Sequence, residues 1–313
     1  MSIIERMAEL LGSVPQTHQK PSAAGEGADT QKPDLIERVA SDLSRRPEFP
    51  GEKGLAGDPR ARERSAHPPI SRPARTLRVD RDRMRRQSMI TPDGERTLIA
   101  ECFRRIKRQV LANVAGPRTG APPANLVLVT SALPREGKTF CAINLAISIA
   151  LERERTVLLV DADIAKPSVL QAFGLEPGKG LMDVLLDRRI DPAEVLLKLD
   201  VGKLTLMPPG NAHEHAPELL ASDAMRELLH DMAERYPDRI IIFDSPPLLS
   251  ASEAGVLASQ VGQIVLVVEA GKTSEATLKD ALGHIDSSKL AGLLLNKGEI
   301  QNLGYGYGYG GYG

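Results

Sequence analysis

Gly137-Lys138-Thr139 closes the stretch Ser131-Ala132-Leu133-Pro134-Arg135-Glu136-Gly137-Lys138-Thr139, set between a strand-like run, Leu126–Val129, and a helix-like run, Ala142–Ile147. A lysine beside a hydroxyl at the start of a helix suits phosphate chemistry. The turn aims backbone N–H groups at an anion, and the helix adds its positive dipole end. Lys138 would reach the β- and γ-phosphates, and the Thr139 hydroxyl would ligate Mg²⁺. The strand–loop–helix context is that of a P-loop, with Ala132 where the usual pattern has its first Gly. Thr156–Asp163 is a second apolar run, ending in Asp161 and Asp163. Side chains two apart on a strand share a side, so one carboxylate would hold the metal while the other accepts a proton. Capping of the next helix is the structural alternative for either acid. A third run, Arg239–Asp244, ends in Asp244, placed to bind Mg²⁺ directly or through water, with Pro246 and Pro247 fixing the loop behind it.

The elements that must position these residues alternate between strand and helix. Further buried strands are expected at Leu204–Met207, Gln263–Val268 and Gly292–Leu295, and helices at 97–111, 223–236 and 274–285. That alternation predicts an α/β fold with a mainly parallel sheet and helices on both faces. Ligands then collect at the carboxyl edge of the sheet, where all three motifs end.

The rest of the chain bounds the function. With a formal net charge of -1, its 313 residues give no bulk argument for nucleic acid. Ile3, Ile4, Met7, Leu10 and Leu11 predict a short amphipathic helix within 1–14. Residues 15–86 have the Pro-, Gly- and charge-rich composition of a disordered linker. Within them, Arg60–Arg86 carries ten arginines against Glu63, Asp80 and Asp82, without interleaved aromatics, and is read as solvated. The folded domain is expected over 87–303 and a flexible Gly/Tyr tail over 304–313. Leu98, Cys102, Ile106 and Val110 mark the apolar stripe of the first domain helix; Glu101, Arg104 and Lys107 form a charged stripe able to pair with another copy. Cys102 and Cys141 read as buried thiols, and His213 and His215 as residues of a flexible loop. The early charges exclude a signal peptide and no run is long enough to span a membrane, so a soluble cytoplasmic protein is expected.

Together the three motifs resemble the Walker A, A′ and B set of the bacterial protein-tyrosine kinases, the BY-kinases of exopolysaccharide export. The tail is similar too: Tyr305, Tyr307, Tyr309 and Tyr312 are four of the five tyrosines in the chain. In that family such a cluster is the autophosphorylation site, entered into another subunit's active site. The resemblance implies a P-loop NTPase fold of the MinD/ParA-like type, with ATP and Mg²⁺ as cofactors. It implies nucleotide contacts from Pro134, Arg135, Glu136, Gly137, Lys138, Thr139 and Phe140, with Asn296 toward adenine. Metal ligands would be Thr139, Asp163 and Asp244; catalytic residues would be Lys138, Asp163 and Asp161, the last orienting or deprotonating the acceptor hydroxyl.

Glu101, Arg104 and Lys107 match the family's ring-forming Glu-x-x-Arg-x-x-Arg, with Lys in the last place. Asp161-Ala162-Asp163-Ile164-Ala165-Lys166-Pro167-Ser168 resembles the exosortase/PEP-CTERM-associated subgroup. Its members work with a separate membrane-bound chain-length-determinant (Wzz-type) activator, which would recruit the kinase to the inner membrane. The competing reading is an ATP-switched partitioning or division-site scaffold. Such ATPases carry a second lysine where this chain has Leu133.

Overall fold

The computed structural model describes residues 76–93, 97–115, 122–235 and 238–298. The expected helix in 1–14, most of the linker and the tyrosine tail lie outside the described residues.

Among the described residues, seven strands form one sheet in the order β3-β4-β2-β5-β1-β6-β7. They are β1 (Leu126–Ser131), β2 (Thr156–Asp161), β3 (Leu197–Lys198), β4 (Leu204–Met207), β5 (Arg239–Asp244), β6 (Gln263–Glu269) and β7 (Leu290–Asn296). All neighbours pair parallel except β3 with β4. The α/β expectation therefore holds, with one short antiparallel edge. Central strands read as unbroken apolar runs because both faces are covered. Val127, Val129, Val157, Leu159, Ile240 and Ile242 turn to one core, whereas Leu126, Leu128, Leu158, Val160, Ile241 and Phe243 turn to the other.

Three helices matter most to the site: α1 (Arg81–Arg86), α2 (Leu98–Ala115) and α3 (Lys138–Ala150). Helix α3 is buried along most of its length, and α2 packs beside it. The apolar stripe of α2 keeps Ile106 and Val110 of the expected set but not Leu98 and Cys102. Phe103 and Val110 are buried, with Ile99 and Ile106 packed beside them, while Leu98 and Cys102 are exposed. The bulky Phe103 ring takes the inward face and turns Cys102 outward, since the larger apolar surface gains more from burial. Cys141 is the one buried thiol of the two, and burial pushes it above its ordinary pKa.

The linker boundary also moves. Residues 76–86, expected to be disordered, are built onto the sheet. The Leu77 N–H donates to Lys198 O at 2.8 Å, and the Asp200 N–H to Leu77 O at 3.0 Å. The Val79 N–H donates to Asp200 Oδ1 at 2.9 Å. Asp80 then caps α1 by accepting from the Arg83 N–H, and Met84 is fully buried. Part of the arginine run is thus paired rather than simply solvated: Arg81 with Asp93 and Asp200, and Arg85 with Asp82 and Asp93.

Among the described residues no helix is long and apolar enough to cross a membrane.

Candidate active site

Strand register brings the three motifs together. Asp244 aligns with Asp161 on β2 and with Val129 on β1, just before the loop that leads into α3. The loop turns through two positive-φ residues, Arg135 (φ 70°) and Gly137 (φ 97°). Gly137 has a second reason to lack a side chain. A Cβ there would stand 2.0 Å from Asn296 Nδ2, so β7 closes directly over the loop.

Lys138 Nζ lies 2.6 Å from Asp163 Oδ2 and 3.9 Å from Asp244 Oδ1. Burial alone would lower the lysine pKa, but Asp244, Asp163 and Asp161 outweigh it and hold the ammonium above its ordinary value. Ser168 Oγ donates to Thr139 Oγ1 at 3.1 Å, and Thr139 Oγ1 donates to Asp244 Oδ2 at 2.6 Å. Burial raises the Asp244 carboxyl to about 6, against the opposing pull of Lys138 and the Thr139 hydroxyl. Its Oδ1 is buried without a hydrogen-bond partner. An acceptor oxygen left open beside a hydroxyl and a second carboxylate is what a hard cation requires. Among the described residues no three His, Cys, Asp or Glu side chains form a metal cage. One hydroxyl and two carboxylates suit Mg²⁺, which takes one or two carboxylates and completes its shell with phosphate and water oxygens.

Asp161 does not stand open to a substrate as expected. It is fully buried. Its Oδ2 accepts from the N–H groups of Ser168 (3.2 Å) and Val169 (3.1 Å), and its Oδ1 from the Asp163 N–H (3.3 Å). The two Oδ2 bonds hold the start of helix α4 (Val169–Phe173), the alternative the sequence had left open. Burial, with Asp244 adding to it, raises this carboxyl to about 7. Asp163, beyond the end of β2, is the carboxylate that meets Lys138.

The remaining expected residues are placed as follows. Asn296 Nδ2 donates to Glu136 O at 2.8 Å, which puts its side chain on the loop. The Phe140 ring packs edge-on against Phe103, with centroids 6.3 Å apart, and its carbonyl accepts from Asn144 Nδ2 at 2.8 Å. Pro134 and Arg135 are exposed and Glu136 is buried. Glu101 pairs with Arg104 on the same helix, and Lys107 pairs with Glu152, so this stripe has partners within the chain. Sequence reasoning missed Ser168, whose link to Thr139 was signalled only by its place just after the paired aspartates. It also missed Thr273, Glu269 and Lys297, which lie near the loop without belonging to any motif.

No protein-family model matches the chain. A tyrosine-protein kinase of Bacillus subtilis, YwqD, is 32% identical over 235 residues, covering 74% of this chain and 95% of YwqD. The chain belongs to the bacterial tyrosine-protein kinases. The succinoglycan biosynthesis transport protein ExoP of Rhizobium meliloti is 33% identical over 225 residues, 70% of this kinase but only 27% of ExoP. The solved kinase domain of the Escherichia coli tyrosine kinase ETK superposes with a TM-score of 0.51 at 28% identity, covering 60% of this kinase and 72% of that domain. The chain is accordingly an ATP-dependent protein-tyrosine kinase with a P-loop fold.

Proposed function

We propose that the kinase transfers the γ-phosphate of ATP to Tyr305, Tyr307, Tyr309 and Tyr312 of another copy of itself, and that this modification regulates exopolysaccharide polymerisation or export. The observation that carries the chemistry is the convergence of Lys138, Thr139, Asp163 and Asp244 at one sheet edge. Lys138 and the loop N–H groups stabilise charge on the transferring phosphate. Thr139, Asp163 and Asp244 would hold Mg²⁺, which when bound neutralises charge between the β- and γ-phosphates. Phosphoryl transfer through a loose transition state depends mainly on position and electrostatics, so no strong base is needed. Asp161, buried away from solvent, keeps the loop that carries Asp163 in place, and the tyrosine proton passes to a phosphate oxygen or to water as the bond to ADP breaks.

The polysaccharide role is supported by the similarity to ExoP, a succinoglycan biosynthesis transport protein. A membrane-bound chain-length-determinant activator, recruitment to the inner membrane and a ring built through Glu101, Arg104 and Lys107 complete the proposal. The scaffold-ATPase alternative is weakened by Leu133, which stands where such proteins use a second lysine.

The test is incubation of the purified kinase with Mg²⁺ and ATP, followed by mapping of phosphate by intact and peptide mass, with Lys138→Ala in parallel. Phosphate on the four tail tyrosines is expected, falling by about a hundredfold or more in the variant. Nucleotide hydrolysis with no phosphotyrosine, even when an activator tail is supplied, would overturn the proposal.

A further inference from the structure

Glu136 is a buried carboxylate inside the phosphate loop for which phosphoryl transfer has no direct use. Its Oε2 accepts the Leu133 N–H at 2.8 Å, tying the loop across its own arch. Its Oε1 accepts the Thr273 hydroxyl, which comes from the turn after β6. Thr273 is itself anchored to that turn: its N–H donates to Glu269 O at 3.2 Å, and its Oγ1 accepts the Glu269 N–H at 3.3 Å. The direction of these bonds is forced. A carboxylate only accepts, so the Thr273 hydroxyl must donate to Glu136 and receive from Glu269.

The outer side of the same loop is held by β7. Asn296 Nδ2 donates to Glu136 O at 2.8 Å and Lys297 Nζ to Arg135 O at 2.6 Å; Lys297 is also paired with Glu269 at 3.2 Å. In a trans peptide the C=O and the next N–H point opposite ways. Fixing the carbonyls of Arg135 and Glu136 outward therefore fixes the N–H groups of Glu136 and Gly137 on the other side, where a phosphate oxygen needs donors.

We propose that Thr273, acting through Glu136, is a positioning residue that sets the phosphate-binding shape of the loop. The kinase's affinity for nucleotide phosphates then depends on a hydroxyl outside the three motifs. This deepens the nucleotide assignment above and rests on it.

The experiment compares full-length wild type, Thr273→Ser and Thr273→Val by Mg²⁺–ADP dissociation constant, KM for ATP and thermal midpoint. Thr273→Ser keeps the donor and is expected to bind within about twofold of wild type. Thr273→Val removes the donor and is expected to raise the ADP dissociation constant and the KM for ATP by about tenfold, the factor that 1.4 kcal/mol represents. Its kcat at saturating ATP should fall much less. A lowered midpoint with unchanged ADP affinity and KM would reduce Thr273 to a structural role and overturn the proposal. Glu136→Gln is read in the same way should Thr273→Val fail to fold, because it keeps an oxygen for Leu133 but turns an amide on Thr273. Wild type that fails to bind ADP overturns the nucleotide assignment and the role of Thr273 together; wild type and Thr273→Val that bind equally overturn the role of Thr273 alone.

Discussion

Asp161 and Asp244 are buried next to each other at the ends of adjacent strands, and burial raises both carboxyls, to about 7 and about 6. Without a cation, the folded chain then holds protons that the unfolded chain releases from about pH 4 upward. Where the folded state binds more protons, stability falls as pH rises, so these two groups lower stability through about pH 4–7. A cation requires the ionised form and acts in the opposite sense. The rise in thermal midpoint on adding Mg²⁺–ADP should therefore be larger at about pH 7.5 than at about pH 5.5, since Asp244 takes up a proton below about 6. Equal rises at the two pH values, in a scanning experiment, would remove Asp244 from metal binding. The motif residues were legible because a few neighbouring positions specify a turn, a charge and a hydroxyl. Thr273 was not, because it lies 137 positions from Glu136 and meets it only through the fold.

At the scale of elements, the arm formed by 76–86 is the main departure from expectation. Its sequence looked like linker because arginines crowd it and its apolar residues are few. Yet Leu77 bridges to Leu199, Val79 is buried, and the Asp80 N–H donates to Phe173 O at 2.9 Å. Gly174 at φ 70° lets the arm approach, since a Cβ there would stand 2.8 Å from Asp80 Cβ. Met84→Ala should cost about 2–5 kcal/mol, as for other buried methionines. Urea unfolding measures this directly, and a change under about 0.5 kcal/mol would mean that the arm detaches without consequence. The shifted stripe of α2 has the same lesson: helical periodicity announced an amphipathic helix, but burial of the larger Phe103 ring, packed on Phe140 and the core, chose it over Cys102 for the interior.

At the scale of the whole molecule, the proposed ring assembly and the proposed tail phosphorylation would be linked by charge. Four tail phosphates would add roughly -6 to -8 charges, and repulsion among tails favours separation. Light scattering should give a smaller mass for the phosphorylated kinase than for the unmodified one; identical masses, starting from a verified ring, would sink the idea. The proposed interface must compete with pairs already made within the chain, Arg104 with Glu101 and Lys107 with Glu152. Arg104→Glu should lower the mass of the unphosphorylated protein, and an unchanged ring would exclude this stripe as the contact. By itself the sequence determined the α/β architecture, the P-loop and its acids, because strand runs, a Gly-Lys-Thr turn and their spacing are local signals. Tertiary structure decided which acid holds a helix start and which meets Lys138, that 76–86 pack on the sheet, and what grips the phosphate loop. Those outcomes depend on burial and on hydrogen bonds between distant segments, which exist only once the sheet has brought its carboxyl edge together.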